Sequence, residues 1–324
     1  AFVSGGGVEE QRGGFSESRN ERGGQARKAG GRVEIRADLS TPVQRLEVDP
    51  AGRRWVYASP HFEFICDDDL GLAVVREFVW MFESVWQFCG SYPYDLPRLR
   101  AKEQVRMKTY LVRDKADYVR MGGPPNSAGV YIPSRDVILI PFESLGIRGS
   151  NGSYNMDRST TNFVLRHEIA HQLMKGETQQ AAWFIEGSAE FAATVPFEVS
   201  RMLLTHHQNA VISYLTANGW KEQGGRKLGR LIVMQKLEGF MSDSYAGFQG
   251  TNNSYASALL LYYYFAQFEG DRKGTRLGKY VRQLQKGLPE QDARRELLGG
   301  KGYEQLERDV ASAWNQVGIR LKFQ

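Results

Sequence analysis

The stretch that decides the fold is NFVLRHEIAHQL, residues 162–173, which carries the pattern His-Glu-x-x-His at His167, Glu168 and His171. The run is typical of a helix, and positions four apart lie on one face of a helix, so both imidazoles can reach the same ion. Zinc binds neutral imidazole nitrogen at about 2.0–2.1 Å. Glu168 projects beside such an ion, where a carboxylate can take a proton from a metal-activated water. The motif therefore predicts a metal site with Glu168 as general base.

A second predicted helix, residues 183–195, offers two further carboxylates. Glu186 comes fifteen positions after His171, which is enough for one helix to end, turn at Gly176 and return antiparallel. Glu190 lies one turn later on the same face, and the apolar neighbours indicate a largely buried helix, in which two unpaired glutamates would be costly. A metal ion, together with a histidine whose second nitrogen needs a partner, would satisfy both carboxylates. The alternative is a pair of glutamates exposed on the helix surface.

These residues resemble the gluzincin branch of zinc metallopeptidases, and more narrowly the bacterial peptidase-MA-like family DUF1570. The resemblance rests on the His-Glu-x-x-His motif followed by Trp-Phe-Ile-Glu-Gly-Ser-Ala-Glu at residues 183–190. Weaker similarity at residues 59–64 and 255–260 extends it over roughly residues 55–270. It implies one zinc ion per chain, with Glu186 completing the site and Glu190 supporting a ligand histidine.

The resemblance also implies a tyrosine that stabilises the oxyanion, carried on a helix well downstream of the glutamate ligand. Tyr255 opens the helix that resembles the one in the family, and it is our candidate. Tyr262, Tyr263 and Tyr264 are competitors, and packing of all four tyrosines in the core is the alternative.

The three remaining histidines are predicted to be structural. His206 and His207 are adjacent, so on a helix they point to different faces and cannot both join the metal site. His61 lies in a predicted strand, residues 61–66.

A β-hairpin is predicted over residues 129–140, with a short turn at residues 133–136. In metallopeptidases of this class, an edge strand beside the metal presents backbone groups to an extended peptide. By resemblance, we expect residues 129–132 or their partner strand to do so. The alternative is a hairpin that only completes the sheet.

Composition excludes several classes of protein. The chain has 324 residues, of which 41% are hydrophobic and 24% charged, so it is neither wholly disordered nor fibrous. Its longest apolar stretch, residues 256–268, is shorter than the ~18 residues needed to span a bilayer. The net charge of +5 is small and scattered, which argues against a nucleic-acid partner. Cys66 and Cys89 either form one bridge or are small buried hydrophobes.

The pattern predicts an α+β fold, in which a small mixed sheet subdomain with an antiparallel edge hairpin precedes a mostly helical, zincin-like (gluzincin) subdomain. We divide the chain into a disordered Gly/Arg-rich tail (1–31), a linker with possible short strands (32–54), an α/β subdomain (55–158) and a helical metal-binding subdomain (159–324). Beyond residue 159 strand signals fade, and helices are predicted near residues 160–175, 183–195, 198–217, 227–237, 252–269, 274–286, 289–298 and 302–317.

The sequence therefore predicts a secreted zinc metalloprotease, a hydrolase acting on a peptide or protein substrate. The tail and the start at Ala1 rather than Met favour export to the periplasm, the cell envelope or the medium, with a cytoplasmic location as the alternative. The competing function is a non-catalytic, metal-containing scaffold that binds a cell-envelope or glycan partner. Nothing in the sequence indicates an oligomeric state.

Overall fold

The computed structural model describes residues 27–29, 32–36, 40–91, 105–160, 162–174, 180–198, 200–216 and 225–324. Most of the predicted tail and the predicted turn at Gly176 lie outside these residues. The strands are β1 (Arg27–Ala29), β2 (Arg32–Arg36), β3 (Gln44–Asp49), β4 (Arg54–Ala58), β5 (Phe62–Cys66), β6 (Met107–Val112), β7 (Val130–Ile132), β8 (Val137–Pro141), β9 (Ile147–Ser150), β10 (Ser153–Met156), β11 (Phe197–Glu198), β12 (Arg201–Leu203), β13 (Leu231–Met234) and β14 (Arg320–Phe323). The α-helices are α1 (Gly71–Ser91), α2 (Lys115–Arg120), α3 (Phe163–Met174), α4 (Ala182–Thr194), α5 (His207–Thr216), α6 (Leu237–Ser242), α7 (Asn252–Tyr263), α8 (Thr275–Gln285), α9 (Glu290–Ala293), α10 (Arg295–Leu298) and α11 (Tyr303–Gln316).

A six-stranded mixed sheet, in the order β3-β4-β5-β6-β8-β7, occupies the first half of the chain. Strands β5, β6 and β8 are parallel, and β7 returns antiparallel to β8 as the edge strand. Strand β8 is apolar and buried throughout, as expected for a strand covered on both faces. The predicted hairpin is confirmed, and it lies at the sheet edge that contacts the His-Glu-x-x-His segment.

Helix α1 covers the sheet with its apolar stripe. Phe78 and Phe82 on this helix make edge-to-face contacts with Phe64 of β5. One continuous core cluster includes residues from both halves of the chain, from Tyr57 to Ile319. The two predicted subdomains therefore share a hydrophobic core.

Helices α3 and α4 carry the two motifs, and α7 packs against α4. Gly187 permits this contact, because a Cβ at that position would lie 2.5 Å from Ala258 O and 2.9 Å from Tyr262 Cβ. The missing side chain lets the two helix backbones approach closely. Trp314 Nε1 of α11 donates to Leu260 O at 3.1 Å and thereby fixes the C-terminal helix against α7.

The α+β class is confirmed, but strands continue into the second half of the chain, where only helices are predicted. The predicted helix 198–217 begins at His207, because Phe197–Glu198 and Arg201–Leu203 are the paired strands β11 and β12, and β12 also pairs with β2. The short strand β1 pairs with β2 at the end of the predicted tail. The hairpin of β9 and β10 is also absent from the sequence-based prediction.

The predicted helix 227–237 is wrong, since this segment contains strand β13, which pairs in parallel with β14 near the end of the chain. Four consecutive apolar residues, Leu231–Met234, fit either a strand or a buried helix, and only the distant partner decides between them. The predicted helix 289–298 is divided into α9 and α10 at Arg294.

Both cysteines are free and buried, Cys66 in β5 and Cys89 in α1, which agrees with their interpretation as small hydrophobes. Burial raises the pKa of each thiol above its usual value, so both stay protonated.

None of the helices within the described part of the chain combines the length and apolar character needed to cross a bilayer.

Candidate metal centre

The structure brings His167, His171 and Glu186 together. One ligand atom from each side chain lies within 4.8 Å of the others. The two Nε2 atoms are 2.9 Å apart, and Glu186 Oε2 lies 3.3 Å from His167 Nε2 and 3.4 Å from His171 Nε2. The antiparallel return of α4 beside α3 creates this convergence, as the fifteen-residue spacing predicts.

This cluster fits a zinc ion. A tetrahedral ion with ligands at about 2.0–2.1 Å separates its ligand atoms by roughly 3.3–3.4 Å. Two of the three observed separations match this value and the third is slightly shorter. Glu186 Oε2 is also a buried atom with no hydrogen-bond partner in the described part of the chain. A carboxylate oxygen in the interior is costly unless a positive charge faces it, and a cation between the two imidazoles would supply that charge.

Glu190 lies on the other side of the His167 ring, with Oε1 3.3 Å from Nδ1. The same oxygen accepts a hydrogen bond from Arg226 Nη2 at 2.7 Å, and Oε2 accepts one from Tyr214 Oη at 2.8 Å. The residue is 1% exposed. Its carboxylate is thus well partnered, and it can orient His167 so that Nε2 faces the candidate site.

The electrostatics of His167 follow from these two carboxylates. Burial works to lower the pKa of its imidazole, yet interaction with Glu186 and Glu190 raises the pKa to about 10. Burial likewise opposes ionisation of Glu186, but the neighbouring His171 and His167 hold the pKa of its carboxyl well below the usual value. Without a cation, the cluster is therefore held together by an imidazolium between two carboxylates.

Glu168 faces the edge strand. Its Oε2 accepts a hydrogen bond from the backbone N–H of Tyr131 in β7 at 2.8 Å. Gly129 also lies against it, since a Cβ on Gly129 would come 4.0 Å from Glu168 Cγ. The carboxylate of the motif and the backbone of the edge strand therefore meet at one place beside the three clustered side chains.

Tyr255 lies at the site, with its ring centroid 6.2 Å from that of His167. The guanidinium of Arg226 lies 4.6 Å from the Tyr255 ring centroid. Burial, followed by the charge of Glu186, raises the pKa of Tyr255 to about 12, so its phenol is protonated at neutral pH and can donate a hydrogen bond. The competing tyrosines, Tyr262, Tyr263 and Tyr264, are buried in the core.

Tyr245 is a site residue that sequence reasoning misses. Its Oη donates to Glu186 Oε1 at 2.5 Å from an irregular loop between α6 and α7. Arg226 and Tyr214, the partners of Glu190, are missed as well. Tyr245 and Arg226 lie in irregular segments, which have no periodicity that would place them on a face. Tyr214 lies on helix α5, but helical periodicity does not indicate which distant residue it contacts.

The remaining histidines hold structural positions. His61 Nδ1 pairs with Glu83 Oε2 at 2.6 Å and its ring stacks on Trp86 with centroids 3.5 Å apart, which joins the start of β5 to α1. His207 is buried behind α4, where Nε2 lies 2.9 Å from Thr194 Oγ1. His206 is exposed beside it.

Comparison of the sequence with models of known protein families and with curated protein sequences gives no match.

Proposed function

We propose that this chain is a zinc-dependent metallopeptidase that hydrolyses peptide bonds. The observation that carries the proposal is the convergence of His167, His171 and Glu186, with Glu168 next to His167 on helix α3. Three protein ligands with the fourth position left for water or substrate are typical of a catalytic zinc site. When bound there, Zn²⁺ would polarise a scissile carbonyl and lower the pKa of a water molecule toward ~7.

Glu168 is proposed as the general base and acid. Its Oε2 is held by the N–H of Tyr131, which fixes the orientation of the carboxylate and leaves Oε1 to take a proton from water. The same carboxylate can then return the proton to the leaving amine. A side chain with this task must be held in place, and a backbone donor on an edge strand does so without flexibility of its own.

Tyr255 is proposed as the donor to the developing oxyanion, because its phenol is protonated at neutral pH and lies beside His167. A donor that is already oriented stabilises the charge as it forms. The position of Arg226 over the Tyr255 ring favours a fixed orientation. Strand β7 is proposed to bind an extended peptide substrate by strand addition, through backbone groups of its outer edge other than the Tyr131 N–H, which already donates to Glu168.

The test combines a metal measurement with a cleavage assay. Elemental analysis after zinc loading and dialysis is expected to find one zinc per chain. A proteome-derived peptide library is expected to be cleaved by the wild type. Glu168→Gln should keep the zinc and lose activity by about 10²–10⁴-fold, because it removes proton transfer but no proposed ligand.

Glu77→Gln is a matched control, since Glu77 pairs with Arg158 at the surface and should change neither quantity. Absence of zinc after loading would overturn the proposal. Zinc without cleavage by the wild type would instead indicate a metal-containing binding scaffold.

A further inference from the structure

A second feature of the molecule is a cavity between strand β13, the loop 243–251 and the start of helix α7. We name it the β13–α7 cavity. Its volume is about 440 Å³, which lies within the usual range for small-molecule sites. None of the residues proposed for the metal centre lines it.

Uncharged hydrogen-bonding residues dominate its lining: Gln235, Gln249, Thr251, Asn253, Ser254 and Ser257. Amide and hydroxyl groups both donate and accept, so they match ligand groups that do the same. Asp243 also lines the cavity, and no lysine, arginine or histidine among the described residues does. An anionic ligand would therefore meet an uncompensated carboxylate, and a neutral one is favoured.

Ser257 provides an independent indication of a ligand. Ser257 is only 2% exposed, and its Oγ has no hydrogen-bond partner in the described part of the chain. Buried hydroxyl groups normally have partners. Since Ser257 lines the cavity, an occupant with a hydroxyl or amide group could supply the missing bond.

The backbone of strand β13 favours a ligand bound by side chains over a peptide that pairs with the strand. The carbonyl oxygen of Val233 in β13 already accepts a hydrogen bond from Asn253 Nδ2 at 2.7 Å. Phe240 and Phe248 supply apolar surface to the same cavity. Aromatic surface beside uncharged amides and hydroxyls suits a sugar ring, which has C–H faces and a rim of hydroxyl groups.

We propose that the β13–α7 cavity binds a neutral saccharide. The cavity adjoins the candidate metal centre, because Phe248 contacts Tyr255 with ring centroids 5.4 Å apart, and Tyr255 in turn contacts His167. The lining residue Asp243 belongs to the same loop as Tyr245, which binds Glu186. Saccharide binding needs no metal and no catalysis, so this proposal does not depend on the proposed peptidase activity.

The experiment measures binding of N,N′,N″-triacetylchitotriose, cellotriose and maltotriose to the full metal-free chain, by saturation-transfer NMR and calorimetry. At least one of these trisaccharides is expected to bind saturably. An acidic trisaccharide, trigalacturonic acid, is expected to bind at least tenfold more weakly. In Gln235→Ala/Gln249→Ala, loss of two hydrogen-bonding side chains at the exposed rim should weaken binding by about tenfold or more.

Gln291→Ala/Gln316→Ala is the control, since both glutamines are exposed on helices or loops away from the cavity, and it should bind like the wild type. Three results would overturn the proposal. The first is no saturable binding of any of the three neutral trisaccharides up to about 10 mM. The second is equal binding by both double variants. The third is a cleavage preference for Asn, Gln, Ser or Thr that disappears in Gln235→Ala/Gln249→Ala, since this would make the cavity a peptide subsite.

Discussion

Tyr245 Oη donates a hydrogen bond to Glu186 Oε1 at 2.5 Å, while the other oxygen of the same carboxylate faces His167 and His171. The two oxygens of Glu186 therefore have separate partners. Because Oε1 is occupied, only Oε2 is directed at the candidate metal position. Tyr245 thus favours binding of a cation by one carboxylate oxygen, which leaves more of the coordination sphere for water or substrate.

Tyr245→Phe is therefore expected to weaken zinc binding. Loss of a partner that orients a ligand typically costs 10–100-fold in metal affinity. Tyr245 is 59% exposed, so solvent can replace part of its bond and we expect a loss of about tenfold. Competition with a chelator of known affinity measures this directly. The cobalt-substituted variant should also show an altered visible absorption spectrum, because the coordination of Glu186 changes.

Tyr154→Phe is the matched control for this change. Tyr154 Oη donates to Asp68 Oδ2 at 2.7 Å, a phenol–carboxylate bond of the same kind away from the metal centre. This variant should keep the zinc affinity and the cobalt spectrum of the wild type. Equal behaviour of Tyr154→Phe and Tyr245→Phe would contradict a positioning role for Tyr245.

Glu190→Gln is expected to lower both zinc affinity and stability. The substitution removes the charge that faces His167 Nδ1 and leaves Arg226, its partner at 2.7 Å, without a buried counter-charge. Zinc affinity should fall by about 10–100-fold because the ligand histidine is less well oriented. Urea unfolding of the metal-free protein should show a loss of roughly 3 kcal/mol, as for other broken buried ion pairs.

Glu83→Gln separates these two effects. Glu83 is 3% exposed and pairs at 2.6 Å with Nδ1 of the partly exposed His61, a carboxylate–imidazole pair outside the candidate metal centre. This variant should lose stability and retain zinc affinity. If zinc affinity fell equally in both variants, Glu190 would act only through the stability of the fold.

The convergence of the three candidate metal ligands could be predicted because their positions follow from local rules. His167 and His171 are four residues apart on one helix, and Glu186 lies on the next helix along the chain. Each step needs only helical periodicity and a short connection. The edge hairpin of β7 and β8 was predicted for the same reason, since its two strands are separated by a short turn.

The partners of these side chains could not be predicted, because they come from remote segments. Tyr214 and Arg226 lie 24 and 36 positions after Glu190, and Tyr245 lies 59 positions after Glu186. Strand β13 cannot be told from a helix by its own residues, because its partner strand, β14, lies near the end of the chain. No period in the sequence relates such segments, and tertiary packing alone brings them together.

Gly187→Ala is expected to destabilise the protein although alanine favours helix by about 1 kcal/mol. The added methyl group would lie 2.5 Å from the backbone oxygen of Ala258 and 2.9 Å from Tyr262 Cβ. Neither atom is the end of a flexible side chain, so α4 and α7 must move apart. Overpacking costs roughly 1–3 kcal/mol, which exceeds the gain in helix propensity over most of that range, so we expect a net loss of up to about 2 kcal/mol in urea unfolding.

The control is Gly278→Ala on α8, where the nearest atom to an added methyl group is Arg282 Nη1 at 3.3 Å. This side-chain end can move, so the gain in helix propensity should dominate and the variant should be as stable as the wild type or more so. Destabilisation by Gly278→Ala of the same size would mean that the close approach of α4 and α7 is not the cause.

His207 gives the fold a defined sensitivity to acid. The residue is 1% exposed, and its ring lies among Phe191, Tyr263 and Thr194. Burial lowers the pKa of its imidazole to about 3, against a usual value near 6.5. Between these two values the unfolded chain binds a proton at His207 and the folded chain does not, so stability falls as pH falls below 6.5.

The free energy of unfolding changes by about 1.4 kcal/mol per pH unit for each proton bound on unfolding. Between pH 6.5 and pH 5, His207 should therefore lower the free energy of unfolding of the wild type by about 2 kcal/mol. His207→Gln has no group to protonate at this position. Over the same pH interval, its free energy of unfolding should fall by about 2 kcal/mol less than that of the wild type. The two free energies of unfolding are measured by urea unfolding of the metal-free wild type and variant at each pH. His206→Gln, at the exposed neighbouring position, should follow the wild type. Parallel pH profiles for wild type and His207→Gln would mean that the buried imidazole is protonated in the folded state.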